Sequence, residues 1–342
     1  MNKRILILPF VILIAASACG GTAATEGPIV STATSETEPE ELEEEATVSQ
    51  PTAEPLPTSA PEAGGQADIP RKILLVTSSL TEEVLGYSMD GEYLGVFATT
   101  SDIQWPVGIA LGPDGKFYLS SYGHNAILQF DTKDYEPSKG MKFLGKFTLD
   151  GNLQAPESIV FRDGYLYVAS AGTHKVLQYD AETGKFIHDF VQSDLLKGVS
   201  IQFPWSLTFG PDGHLYVDSN TNEIYKFDGK TGESMGVFAS DRALIRPAGM
   251  TFGPDGHLYV GSQDTNTILK FDGKTGEFLA VFVQGEVLQG PWAVAFGPDE
   301  HLYVASSANN KVLKYDGETG EFIKTFIDGG RLQAPNGLLF IP

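Results

Sequence analysis

The chain of 342 residues carries 44 Asp and Glu against 23 Lys and Arg, a formal net charge of −21, and a single cysteine. One cysteine excludes an intramolecular disulfide and a Cys-x-x-Cys metal site. The acidic balance, with no Lys/Arg cluster after residue 70, argues against a nucleic-acid partner.

Residues 1–19, MNKRILILPFVILIAASAC, set Lys3 and Arg4 ahead of an apolar run from Ile5 to Ala16, followed by small residues that end at Cys19. The run is too short to span a bilayer and has the layout of a secretory signal. Ala16-Ser17-Ala18-Cys19 resembles a bacterial lipobox, with Ala16 where Leu is more usual. That resemblance implies cleavage before Cys19, its lipidation, and stable membrane anchoring by more than one acyl chain. The expected location is exported and lipid-anchored, facing the periplasm or the cell surface.

From 20 to 70 the composition turns to Thr, Glu, Pro, Ser and Ala, with no basic residue and eleven acidic ones, including Glu40-Glu41-Leu42-Glu43-Glu44-Glu45. Such a segment cannot bury enough apolar surface to offset its chain entropy, so a disordered linker is expected. A coil of this length reaches roughly 40 Å root-mean-square, and more if Pro and like charges extend it. About half of the net charge is therefore tether.

Residues 71–342 read as one all-β domain. Prolines at 106, 156, 204, 247, 291 and 335 mark a repeat with spacings of 50, 48, 43, 44 and 44. A period of roughly 40 to 50 residues made of short strands is the mark of a β-propeller. After each proline comes a first strand (VGIAL, ESIVF, WSLTF, AGMTF, WAVAF, NGLLF), then a turn, Gly-Pro-Asp-Gly at 112, 210 and 253 with variants elsewhere. Pro presets φ in that turn and Gly supplies the positive φ. Second strands such as HLYVGS, third strands such as ILKFD and fourth strands such as EFLAVF follow, with Asp-x-x-Thr-Gly turns at 180, 228, 272 and 316 whose Asp can cap the turn. Residues 73–97 match the second to fourth strands and 336–341 match the first. The expectation is a six-bladed β-propeller of four-stranded antiparallel blades, its ring closed by strands from both termini sharing one blade.

The pattern P-x-G-[apolar]-x-[apolar]-x-P-D-G-x-L-Y-V-x-S-x-x-N-x-[apolar]-x-x-[apolar]-D resembles the NHL-repeat consensus over about 71–342, placing the chain beside the gluconolactonase-like and TolB-like propellers. HLYVDSNTNEIYKFD is also similar to the YWTD blades of receptor propellers. The resemblance implies a binding scaffold, with lactonases and lyases among the relatives. Fold alone does not choose between these.

Positions that keep a repeat support the blade, so function is sought where one blade departs. The face bearing the blade-start prolines and the loops between second and third strands, termed the upper face, surrounds the channel mouth. The residue after each proline is Val107, Glu157, Trp205, Ala248, Trp292 or Asn336, and Glu157 is the only charge. At the end of the second strand, Asp218 stands where Ser78, Ser121, Ser170, Ser262 and Ser306 stand elsewhere. His174 replaces the Asn of positions 125, 222, 266 and 310, and His124 fills a slot held by Thr or Asn in other blades. From the last Phe of a blade to the next proline is nine residues, except fourteen from Phe190 to Pro204, which adds five residues to the upper face. Six extra residues near TKDYEPSKGMK lie on the lower face of blade 1.

Glu157 and Asp218 are candidate ligands for a divalent cation (Ca, Mg or Zn), with His174 and His124 as candidate catalytic groups. Loop capping and bonds to backbone amides explain the same residues without a ligand. Trp205, Trp292, Asn336 and Ser170 are candidate ligand-binding residues, since an aromatic-lined mouth suits a sugar ring or an apolar side chain, although tryptophans can also plug a channel. The repeated Gln104, Gln154, Gln202, Gln289 and Gln333 are expected to satisfy backbone groups where the chain enters each blade, and His188, His214, His257 and His301 to be structural. Similarity to gluconolactonases implies metal ligands at blade-start slots, where Glu157 and Asn336 fit and Trp205, Ala248 and Trp292 do not. Similarity to streptogramin lyases implies His and Glu with a metal. No nucleophile-elbow, zinc-protease or nucleotide fingerprint is present. The favoured function is a tethered, monomeric scaffold for a protein, peptide or glycan; the alternative is a metal-dependent lactonase, hydrolase or lyase.

Overall fold

A computed structural model describes residues 72–341, except 137, 138, 149–151, 196 and 197. The signal, Cys19 and the linker lie outside the described residues. Six four-stranded antiparallel sheets form a six-bladed β-propeller. Blades 1 to 5 begin at Pro106, Pro156, Leu207, Pro247 and Pro291, and four of these five are the prolines of the sequence repeat. The sixth, closing blade takes its first strand, Pro335–Ile341, from the C-terminus and its second, Ile73–Ser78, from the N-terminus. First strands of neighbouring blades touch all the way round, including the closing blade against blades 1 and 5.

Blade stacking has a repeated aromatic cause. The Tyr of each second strand is gripped between a Phe of its own fourth strand and a Phe of the next blade's first strand: Tyr118 by Phe147 and Phe161, Tyr167 by Phe190 and Phe209, Tyr216 by Phe238 and Phe252, Tyr259 by Phe282 and Phe296, and Tyr303 by Phe326 and Phe340. All centroids lie 4.7–5.0 Å apart. Each aromatic contact adds about 0.5–1.5 kcal/mol beyond its buried area. At the sixth junction Leu75 packs with Phe97, and the six-residue extension of blade 1 brings Tyr135 flat against Phe97, at 4.5 Å and 16°. The lower-face insertion therefore buttresses the junction between blade 1 and the closing blade.

The lower face is laced by repeated ion pairs and turn caps. In blades 3 to 5 the turn aspartates Asp212, Asp255 and Asp299 accept from the hydroxyls of Tyr216, Tyr259 and Tyr303 and pair with Lys226, Lys270 and Lys314 at 2.7–2.8 Å. The Asp-x-x-Thr-Gly turns cap as expected: Asp180, Asp228, Asp272 and Asp316 accept the amides of Thr183, Thr231, Thr275 and Thr319. His214, His257 and His301 repeat beside Asp228, Asp272 and Asp316 at 3.7–3.9 Å.

Candidate functional site

Two hydrogen-bond devices recur around the upper face. In the first, a serine at the end of the second strand clamps the loop leading to the blade-start proline. Ser121, Ser170, Ser219, Ser262, Ser306 and Ser78 accept the backbone amides of Gln104, Gln154, Gln202, Ile245, Gln289 and Gln333 at 2.8–3.1 Å. The register expected for Asp218 is thereby corrected. Ser219 is the clamp of blade 3, and Asp218 lies one residue earlier, in a slot held elsewhere by Thr77, Ser120, Ala169, Gly261 and Ala305. The loop of blade 3 is one residue shorter, so counting back from Asn222 overshoots the serine. The glutamine expectation is refined too: the common element is the backbone amide, which Ile245 supplies equally well.

In the second device, the loop residue in left-handed conformation (Asn125, His174, Asn222, Asn266, Asn310) accepts the amide of the residue before the next proline or its equivalent. The acceptances run from Ala155, Phe203, Arg246, Gly290 and Ala334, at 2.7–3.0 Å. Asn tolerates αL and carries an acceptor, which explains its recurrence. His174 does the same through Nδ1, at 3.0 Å from the Phe203 nitrogen, with its ring edge-on to Phe203 at 4.3 Å. The nitrogen that would serve as a base or ligand is thus engaged in a latch. His124, which is exposed, donates from Nδ1 to the carbonyl of Asp102 at 2.8 Å and does not join the other candidates.

The channel mouth is a cavity of about 130 Å³ lined by Val107, Trp205, Trp292 and Asn336 among others. Trp205 and Trp292 stack at 5.5 Å and 29°. Between them in chain order, the blade-start slot of blade 4 holds only Ala248, fully buried. Close approach is enforced at Gly249 (φ +64), where a Cβ would fall 2.2 Å from the Trp292 carbonyl oxygen. The Arg246 guanidinium covers Trp205 at 5.3 Å and pairs with Asp264 at 2.9 Å. Asn336 accepts from the Ser307 hydroxyl at 3.0 Å and donates to Ser79 at 2.9 Å, bracing the closing blade. Ser170 is fully buried and serves as one of the six clamps.

Among the residues before the prolines, sequence reading singles out Trp105, which flanks a blade-start proline as Trp205 and Trp292 do, but misses Phe203. Trp105 and Phe203 hold positive φ (49° and 45°) yet are 51% and 44% exposed, and Trp105 leans on Tyr122 at 5.9 Å. A left-handed non-glycine residue costs about 1 kcal/mol or more. The signal was available, since the other blades place Ala, Arg or Gly there.

Glu157 and Asp218 are brought together, and both are buried, at 2% and 1% exposed. Burial raises both carboxyls, Asp218 to about 8, and the Asp218 charge raises Glu157 further. Asp218 Oδ1 accepts the amides of Trp205 and Ser206 at 2.7 and 2.9 Å, taking up the start of the first strand, which in this blade begins only at Leu207. Oδ2 of Asp218 and Oε2 of Glu157 have no hydrogen-bond partner. Among the described residues, no three His, Cys, Asp or Glu side chains are grouped as a metal cage.

No family model matches the chain, and no curated protein matches it. Among solved structures, a chain from "Crystal structure of Nidogen/Laminin Complex" is similar, with a TM-score of 0.61 and 16% identity, covering 78% of this chain and 97% of that one. At that identity the likeness is one of fold.

Proposed function

We propose that the chain is an NHL-repeat propeller, exported and held at a membrane through lipidated Cys19, whose upper face binds a protein, peptide or glycan. The carrying observation is the aromatic set of the upper face: Trp105 and Phe203, exposed in left-handed conformation, and the half-buried Trp205–Trp292 stack at the channel mouth. Aromatic side chains with a large apolar area and few rotamers are enriched where binding energy concentrates. A fold relative solved within a nidogen/laminin complex supports a protein ahead of a glycan.

Catalysis at Glu157 and Asp218 is disfavoured by their burial, because a substrate in the mouth cannot touch carboxyls only 2% and 1% exposed. Trp205, Ala248 and Trp292 also leave the remaining blade-start slots without ligands. The test is binding of the full chain to fractionated envelope proteins, peptides and glycans, with Trp105→Ala, Phe203→Ala and Trp292→Ala compared against the lower-face Lys116→Ala. Loss of a ligand in the first three and retention in the fourth is expected. Equal binding by all four would overturn the assignment, and lactone turnover abolished by Glu157→Gln would establish the enzyme instead.

A further inference from the structure

The junction of blades 2 and 3 contains two buried carboxyl groups that the surrounding fold leaves incomplete. Oε2 of Glu157 and Oδ2 of Asp218 are unpartnered in residues 2% and 1% exposed. Buried polar groups are nearly always hydrogen-bonded, and an unmade bond costs about 1–3 kcal/mol, more for a charge. None of the described Lys, Arg or His side chains pairs with either group, and the nearest charge felt by Glu157 is another carboxylate.

Asp218 is nevertheless built for its anionic form. Its Oδ1 accepts two backbone amides, an arrangement that favours carboxylate over carboxylic acid. Those two bonds fix the group and leave Oδ2 free in a set direction, as outer-shell donors orient a metal-ligating carboxylate. Glu157 comes from the adjacent blade, senses Asp218, and in turn raises Tyr122 of blade 1, after burial has done so first. Two carboxyl groups that feel each other in a dry interior repel when ionised, and a shared cation converts that repulsion into ligation.

We propose that Glu157 Oε2 and Asp218 Oδ2 are ligands of a structural site for a hard divalent cation, calcium in preference to magnesium or zinc, that ties blade 2 to blade 3 beside Trp205. The donors named are oxygens, and the ring nitrogen of the sequence candidate His174 is engaged by the Phe203 amide, so zinc lacks its preferred ligands. Calcium accepts irregular sets completed by carbonyl, hydroxyl and water oxygens, whereas magnesium demands near-octahedral geometry and keeps several waters. The site does not depend on what the aromatic face binds.

The test uses the full chain, stripped with chelator and titrated with Ca²⁺, Mg²⁺ or Zn²⁺, following thermal unfolding, tryptophan emission and bound metal by elemental analysis. One equivalent of calcium, a raised Tm and altered emission are expected, since the Asp218 carboxylate holds the Trp205 amide. Glu157→Gln and Asp218→Asn should each weaken calcium binding at least tenfold. The acidic tether is common to all three proteins, so the difference isolates the site, and the wild-type titration stands even if a variant fails to fold. No equivalent of metal and no Tm change in the wild type, or undiminished calcium binding in both variants, would overturn the site. A larger Tm shift with zinc or magnesium would overturn the choice of calcium.

Discussion

The junction between blades 2 and 3 and the junction between blades 4 and 5 are built from the same parts to different ends. Both have the tyrosine grip, the serine clamp and the left-handed latch, with Tyr167, Ser219 and His174 in one and Tyr259, Ser306 and Asn266 in the other. The later junction has neither an acid pair nor a histidine latch. The earlier one adds a buried acid pair, a latch made by histidine, a shortened first strand and a five-residue insertion whose Leu195 is 76% exposed. The shared parts maintain the ring, and the departures are free to serve another purpose without weakening it.

If the shared parts are equivalent, Tyr167→Ala and Tyr259→Ala should destabilise by the same large amount, about 3–5 kcal/mol in denaturant unfolding. A difference of more than about 1 kcal/mol between them would show that the earlier junction is not a copy of the later one. The acid pair should behave in the opposite way. In chelated protein near pH 8, Glu157→Gln should stabilise by roughly 1–3 kcal/mol, because it removes a buried carboxyl that must either ionise beside Asp218 or hold a proton that the unfolded chain has released. With calcium present the same substitution should destabilise.

The pH dependence sharpens the contrast. In chelated protein the Asp218 carboxyl is raised by burial to about 8, so between about pH 4 and pH 8 the folded state holds a proton that the unfolded state releases. Its contribution is greatest below the unfolded pKa and falls as pH rises through that window, by about 1.4 kcal/mol per pH unit at most, until it levels off above 8. Asp218→Asn should flatten a Tm profile taken from pH 5 to 8.5. Asp228, Asp272 and Asp316 on the lower face run the other way. The amides of Thr231, Thr275 and Thr319 hold them below the usual range, so their stability is present at neutral pH and lost on acidification below about 4. The smallest effect is expected at the latch: His174→Asn should be neutral within about 0.5 kcal/mol, whereas His174→Ala and Asn266→Ala should each cost about 1 kcal/mol by orphaning a backbone amide.

The ring was legible in the chain because every blade spells out its own turns and strands, and the split blade was legible because residues 73–97 and 336–341 complement each other. Glu157 was legible as the one charge in its slot. Asp218 was found for the wrong reason: the loop after it is one residue short, and only the hydroxyl of Ser219 on the Gln202 amide reveals the register. The pairing of the two acids across blades, the latch role of His174 and the outward aromatics at 105 and 203 depend on backbone conformation and on neighbours some 30 to 60 residues away, which a one-blade comparison does not bring together.

The closing blade carries a mechanical consequence. The strand Ile73–Ser78 is hydrogen-bonded on one side to Glu83–Ser88 and on the other to Pro335–Ile341. It begins at the end of the ring where the hairpin turns lie, away from the aromatic face. A pull applied at Lys72 along that strand acts on both ladders in shear, so their bonds must slide together and cannot be unzipped one at a time. A protein held by its N-terminal end would thus meet traction with its most resistant geometry, while the opposite face stays presented outward.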